Sequence, residues 1–245
     1  MLELRIGCMV LTFSSFETPL SAVVIGASGG LGAAFTAHLE GMEAVEKVFS
    51  FSRKDGFDLT DEPSIRSAAD EVERGGGADL VIIATGLLHD AALQPEKSLR
   101  DFEAHNFQDV FAVNTTGPAM VMKHFLPLLP RDRKGVLAAL SARVGSISDN
   151  QLGGWTAYRA SKAALNMVIK NAAIETARRY KEGVIVGLHP GTVDTDLSAP
   201  FQSNVAEGKL FTPAYSAGEM LKVIDGLKPQ DSGKVFDFNG EEVLP

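Results

Sequence analysis

Ala22-Val23-Val24-Ile25-Gly26-Ala27-Ser28-Gly29-Gly30-Leu31-Gly32 is the stretch that decides the fold. A β-branched apolar run ends on Gly26, and a helical pattern opens at Gly32 and continues to about Glu43. Between them the glycines have the spacing G-x-x-x-G-x-G. Gly26 suits the tight turn from strand to helix, and missing side chains at Gly30 and Gly32 allow close backbone and helix approach. Free N–H groups and the positive end of a helix dipole then face one point, which is what a pyrophosphate needs. Glycine is also a plain turn residue, so the weight lies in the context of strand before and helix after.

Outward from this turn the chain repeats the same alternation. Short apolar runs at Ala22–Gly26, Lys47–Ser52, Leu80–Ala84, Val136–Ser141, Val184–His189 and Val235–Phe238 read as strands. Longer helical patterns lie between them: after Pro63, across Leu99 to Leu126, from Thr156 to about Tyr180, and from Ala214 to Asp225 with Gly226 placed to end it. Strands that are apolar throughout are expected under helices on both faces. The fold class is therefore α/β, a single doubly wound parallel sheet of the Rossmann type over residues 21–245, preceded by a loosely attached extension, residues 1–20.

Composition narrows the class of function. The 245 residues carry a formal net charge of -8, which argues against a nucleic-acid footprint. Cys8 is the single cysteine and cannot form an internal disulfide, so a reducing, cytoplasmic compartment is expected. No run is long and apolar enough for a membrane span, and the apolar Gly7–Leu11 stretch is too short for a secretory signal. The five histidines show no metal-ligand spacing, so no metal is expected.

The second strand ends Phe51-Ser52-Arg53-Lys54. A dinucleotide with a free ribose 2′-hydroxyl is usually met by a carboxylate there; a hydroxyl and two cations suit a 2′-phosphate. NADP(H) is therefore preferred over NAD(H), with Asp58 and Leu59 placed for an adenine contact. Further along, Tyr158 and Lys162 stand one helical turn apart on one face. A nearby ammonium stabilises a phenolate, and such a pair can exchange a proton with a carbonyl or alcohol oxygen.

Gly26-x-x-x-Gly30-x-Gly32, Asn114, Tyr158-x-x-x-Lys162 and Pro190-Gly191-Thr192-Val193-Asp194-Thr195 together resemble the short-chain dehydrogenase/reductase family. Gly145-Ser146-Ile147, Gly153-Gly154 and Tyr158-Arg159 resemble its C-factor-like carbonyl reductase branch. The resemblance implies hydride transfer between NADP(H) and a small carbonyl or alcohol substrate. It implies cofactor contacts from Gly26, Ser28, Gly30, Leu31 and Gly32, from Ala84, Thr85 and Gly86, and from Pro190, Gly191, Val193 and Thr195. Asn114 matches the asparagine whose helix kink holds a relay water, and Thr195 the hydroxyl on the carboxamide. Tyr158 and Lys162 carry the acid/base step and the nicotinamide ribose. Relatives also pair their long helices between subunits, which implies a homodimer or homotetramer through Phe102, Phe107, Phe111, Leu165, Met167 and Ile169.

Two departures stand out. Ile83-Ala84-Thr85-Gly86 replaces an Asn-Asn-Ala-Gly motif. At the serine that polarises the substrate oxygen in relatives, counting from Gly135 arrives at Ala142. Ser141 is the candidate if a bulge turns it inward, with Ser146 and Ser148 as alternatives or no serine at all. Leu88, Arg143, Val144, Trp155, Leu197 and Phe201 are expected to line the pocket, Trp155 equally well to staple the helix start, and Asp196–Thr212 to close the pocket as a lid. The rival to an enzyme is a signalling or nucleotide-sensing protein that binds the cofactor without turnover, since C-factor is itself a developmental signal.

Overall fold

The computed structural model describes residues 12–245, so Cys8, the Gly7–Leu11 stretch and the first part of the expected extension lie outside the described residues. Six strands form one wholly parallel sheet: β1 (Leu20–Ile25), β2 (Val45–Phe51), β3 (Leu80–Ile83), β4 (Gly135–Leu140), β5 (Gly183–His189) and, after two short strands introduced below, β8 (Val235–Asp237). Their order across the sheet is β2-β1-β3-β4-β5-β8. All four residues of β3 are buried, as are Ala22 to Ile25 of β1, which is why these runs are apolar throughout. The edge strands carry charges in their runs, Glu46 and Lys47 in β2 and Asp237 in β8.

Helices cover both faces. Phe35 and Leu39 of α1 (Gly30–Glu40) and Met220, Leu221 and Ile224 of α6 (Pro213–Gly226) pack on one side. Ile65 and Val72 of α2 (Glu62–Arg74), Phe125 of α4 (Gly117–Phe125), and Leu165 and Ile169 of α5 (Thr156–Thr176) pack on the other. Each fully buried side chain of this size contributes on the order of 1.5–3 kcal/mol. Leu165 and Ile169 are thus core residues and do not form the outward face expected of them. Because β2 and β3 flank β1 on opposite sides, the connections diverge there, and a crevice opens at the C-terminal ends of β1 and β3.

The single helix expected over Leu99–Leu126 is divided. Ser98 and Asp101 close a capping box around one isolated turn, Phe102 is extended, and α3 (Ala104–Phe111) begins only then. A π-turn over Ala112–Thr116, holding Asn114, joins α3 to α4. Two short strands, β6 (Thr192–Val193) and β7 (Leu210–Phe211), pair and so fasten both ends of the expected lid segment.

Residues 12–19 are held, contrary to the expectation of a loose extension. Phe13 and Phe16 are buried in the α1/α6 core with ring centroids 5.0 Å apart. The Ser14 and Ser15 N–H groups donate to the Asp225 carboxylate at 2.9–3.0 Å. Lys134 Nζ donates to Ser15 Oγ at 2.7 Å and to the carbonyls of Ile224 and Asp225, which closes the C-terminal end of α6.

Candidate active site

The glycine turn is packed from below by the chain itself. Gly26 has φ +88°, and its N–H donates to the Phe51 carbonyl at 2.8 Å, tying the ends of β1 and β2. A side chain on Gly26 would meet the Ala84 carbonyl oxygen at 2.8 Å, and one on Gly32 would run into the Gly26 carbonyl. One on Gly30 would meet Thr195 Cγ2 at 2.6 Å, so the turn and the loop after β5 touch at this point. Gly29, the N-cap of α1, supplies no side-chain cap, and the first turn of α1 has no acidic residue. Ser28 is exposed beside these free amides, while Leu31 leans on the core. Thr85 Oγ1, next to Gly26, is buried with no partner. Uncapped amides, a cradle that any side chain would fill and an orphaned hydroxyl fit a dinucleotide phosphate.

Arg53 and Lys54 follow two and three residues after Phe51, in a single exposed turn capped by Ser52. Neither forms an ion pair among the described residues, and the nearby Asp55 carboxylate instead accepts from Ser52 Oγ at 2.6 Å. Asp58 is exposed; its bonds from the Thr60 N–H and hydroxyl hold its carboxyl below the usual range, with Arg53 adding a smaller pull. Leu59 packs against Gly117 of α4.

Tyr158 and Lys162 lie in the first turns of α5, both buried. Lys162 Nζ donates to the Leu140 carbonyl at 2.8 Å and sits 5.8 Å from the Tyr158 ring centroid. A side chain on Gly86 would come within 3.9 Å of both Lys162 Nζ and Asn114 Oδ1, and within 3.6 Å of Leu197. Gly86 is therefore the open point at which Asn114, Lys162 and the lid segment converge. Asn114 is fixed there: it accepts from the Leu87 N–H at 2.7 Å and donates to the Leu87 carbonyl at 2.8 Å and to Ser161 Oγ at 3.1 Å. Ser161, unnoticed in the sequence, joins the π-turn to α5.

Burial governs the titration of the pair. It pushes the Tyr158 phenol up to about 12 and the Lys162 ammonium down to about 8. The lowered phenol expected from the Tyr–Lys spacing is not found in this structure, because loss of water outweighs a cation 5.8 Å from the ring.

Ser141 does not face the tyrosine. Its hydroxyl donates to Asn166 Oδ1 at 2.6 Å, and Asn166 lies two helical turns beyond Tyr158 on α5. The neighbouring Ala142 packs with Tyr158 and Leu88 in one apolar cluster, as strand alternation requires when no bulge intervenes. Ser146 pairs with Ser148 at 3.3 Å and accepts from the Asp149 N–H, and Ser148 donates to the Pro245 carbonyl. All three candidate serines are thus engaged elsewhere. Val144, Trp155, Leu197 and Phe201 complete the Tyr158 cluster as the sequence suggested, but Arg143 turns to Asp237 at 3.5 Å and Asp149 at 3.9 Å.

The loop after β5 closes the site. Gly191 has φ +76° beneath Phe211 and Phe238, the Pro190 carbonyl accepts from Ser216 Oγ at 2.7 Å, and Val193 is buried. His189 ends β5 with Nδ1 buried and unpartnered; burial, then Arg143, pushes its imidazole down to about 4.

A family model described as short chain dehydrogenase matches residues 45–206. The chain belongs to the short chain dehydrogenase family. It is 39% identical over 146 residues to the C-signal of Myxococcus xanthus, covering 60% of this chain and 82% of that protein. It is 35% identical over 187 residues to the 1-hydroxy-2-glutathionyl-2-methyl-3-butene dehydrogenase of Rhodococcus sp. (strain AD45), covering 76% of each. The NADPH-bound carbonyl reductase from chicken fatty liver superposes with a TM-score of 0.80 at 27% identity, over 94% of this chain and 100% of that one. No described helix is long and apolar enough to cross a membrane, and among the described residues no group of three or more His, Cys, Asp or Glu side chains could hold a metal ion.

Proposed function

We propose that this chain reduces a small carbonyl compound with NADPH, Tyr158 giving the proton. The observation that carries the reading is the convergence of Lys162 and Asn114 at Gly86, with the Tyr158 ring 5.8 Å from Lys162 Nζ, at the strand ends beside the uncapped glycine turn. Reduced nicotinamide, when bound there, supplies the hydride. Burial keeps the phenol protonated at neutral pH, so it has a proton to give to a carbonyl oxygen. The buried Lys162 ammonium offsets the phenolate left behind. Asn114 keeps the turn after β3 in register by holding both backbone groups of Leu87. Leu88, Val144, Trp155, Leu197 and Phe201 keep water from the reacting carbon. Arg53 and Lys54, free of ion pairs among the described residues at the end of β2, support NADP(H) over NAD(H) through a 2′-phosphate. The test is a panel of aldehydes and ketones, with NADPH consumption followed at 340 nm as ordinary nicotinamide absorbance; no consumption across the panel would refute the reading.

A second reading keeps the cofactor and drops the turnover. Ala142 beside Tyr158, with every candidate serine engaged elsewhere, and the likeness to the Myxococcus C-signal both favour a nucleotide-binding signal. Tight NADPH binding in a protein that consumes none on the panel would select it.

We further propose a homodimer or homotetramer, built on the outer faces of α3 and α5. Met167 and Ile174 on α5 are 61% and 53% exposed, and Phe102, just before α3, is exposed as well. Light scattering at micromolar concentration checks it; a monomer would refute it.

A further inference from the structure

We propose that Glu96 is a positioning residue that sets the aromatic wall of the pocket through the start of α5. The proposal rests on reading the Tyr158 cluster as the substrate pocket, and it concerns a residue from a loop 61 positions away.

Trp155 is the N-cap of α5 and has φ +50°, the left-handed region, without being a glycine. Among the described residues it is the one non-glycine with a positive φ. Gly153 and Gly154, both at φ +64°, lead into it. For a bulky side chain that conformation is costly and persists only where the surroundings over-determine it. Trp155 supplies no cap to its own helix. Glu96 does both jobs. Its carbonyl accepts the Trp155 N–H at 2.6 Å, and its carboxylate accepts the Ala157 N–H at 3.2 Å, so the second helical residue is capped from outside. The carboxylate is buried, with no cation paired to it among the described residues, and it lines a small cavity together with Tyr158, Leu88 and Asn106.

The consequence is seen in the rings. Held left-handed, Trp155 meets Phe201 of the lid segment edge-on at 4.8 Å and Tyr158 at 6.3 Å. Tyr158 follows one residue after the capped Ala157. Glu96 therefore fixes together the tyrosine that donates and the wall against which the lid closes, without touching substrate or cofactor.

Trp155 is the only tryptophan in the chain, so tryptophan emission reports this wall alone. Emission maximum and acrylamide quenching are measured on the full chain for the native protein, Glu96→Gln and Glu96→Asp, with helical circular dichroism as the check on folding. Gln keeps an oxygen within reach of the Ala157 N–H and is expected to match the native emission and quenching. Asp keeps the charge but loses one methylene of reach; it is expected to shift the emission to the red and raise the quenching constant several-fold, with helix content unchanged. With a reducible carbonyl in hand, Asp raises KM more than it lowers kcat, and Gln restores both. Native emission in Glu96→Asp, or a red shift in Glu96→Gln, overturns the proposal. The emission result stands whether or not any carbonyl is turned over, so its failure is separable from failure of the reductase reading.

Discussion

Ala142→Ser tests whether the site gains from a second oxygen donor beside Tyr158. Ala142 is 9% exposed and packs against Tyr158 and Leu88, so a hydroxyl at this position would enter the space where a substrate oxygen meets the phenol. A hydrogen bond to an oxygen that gains charge in the transition state contributes about 1.5–3 kcal/mol, or ~10–100-fold in kcat/KM. In the free protein the same hydroxyl sits in an apolar cluster with Leu88, Val144 and the Tyr158 ring, which costs on the order of 1 kcal/mol when it finds no partner. For a chain of this size that lowers Tm by about 2–4 °C. The expected result is a variant that turns over faster and melts earlier.

The paired control is Ser141→Ala. It removes the 2.6 Å bond to Asn166, so it should cost stability and leave turnover at the native level. Both variants are measured by NADPH consumption on one reducible carbonyl and by thermal melting. Loss of turnover in Ser141→Ala, with no gain in Ala142→Ser, would refute the reasoning and return the polarising role to Ser141.

Tyr158→Phe keeps the ring in its cluster and removes the acid; turnover should fall at least ~100-fold while NADPH binding, titrated by fluorescence, stays native. Arg53→Ala should weaken NADPH binding roughly tenfold and leave NADH binding unchanged; tighter binding of NADH than NADPH by the native protein would overturn the cofactor preference. Lys162→Met should lose turnover yet gain stability at pH 7, because the folded state holds the ammonium at about 8 against 10.5 for a free lysine. The unfolded chain binds the extra proton between those two values, so native stability should climb from pH 8 towards 10.5, and Lys162→Met should flatten that climb; Lys134, also held near 8, supplies the remainder. Equal slopes for native and Lys162→Met in urea titrations across that window would contradict the burial argument.

The glycine turn and the strands were legible because a parallel sheet covered on both faces demands continuous apolar runs, and Leu80–Ile83 admits little else. The helix over Leu99–Leu126 was misread at its start because apolar spacing continues through Phe102, whose extended backbone is set by the Ser98–Asp101 box before it. The partner of Ser141 was not legible, because its hydroxyl is engaged by Asn166, 25 residues away. Leu165 and Ile169 carry the same apolar signature as Met167, and only the packing of α5 on the sheet separates core from surface. Trp155 was open between pocket wall and helix staple; its ring packs in the Tyr158 cluster, and Gly153-Gly154 gave the turn without showing the left-handed residue after it. Glu96 left no local mark at all, since its cap closes across 61 residues.

Burial acts on the two titrating groups of the site with opposite sign, and the pair makes sense only together. Water is excluded around Tyr158 by Leu88, Val144 and the aromatic wall, which keeps the proton on the phenol. The same exclusion loosens the proton on Lys162, whose ammonium donates to the Leu140 carbonyl. Donation by Tyr158 reverses this balance. A phenolate in that position raises the proton affinity of the lysine 5.8 Å from its ring, so the cation is reinforced at the moment it is needed. On the reductase reading the apolar lining keeps the proton on Tyr158 until a substrate oxygen is in place to take it, and Lys162 offsets the phenolate that results. On that reading, a residue that lets water to Tyr158 would lower its pKa and loosen the geometry of donation, and the wall at Trp155 and the cap at Glu96 would then bear on the chemistry as well as on the shape of the pocket.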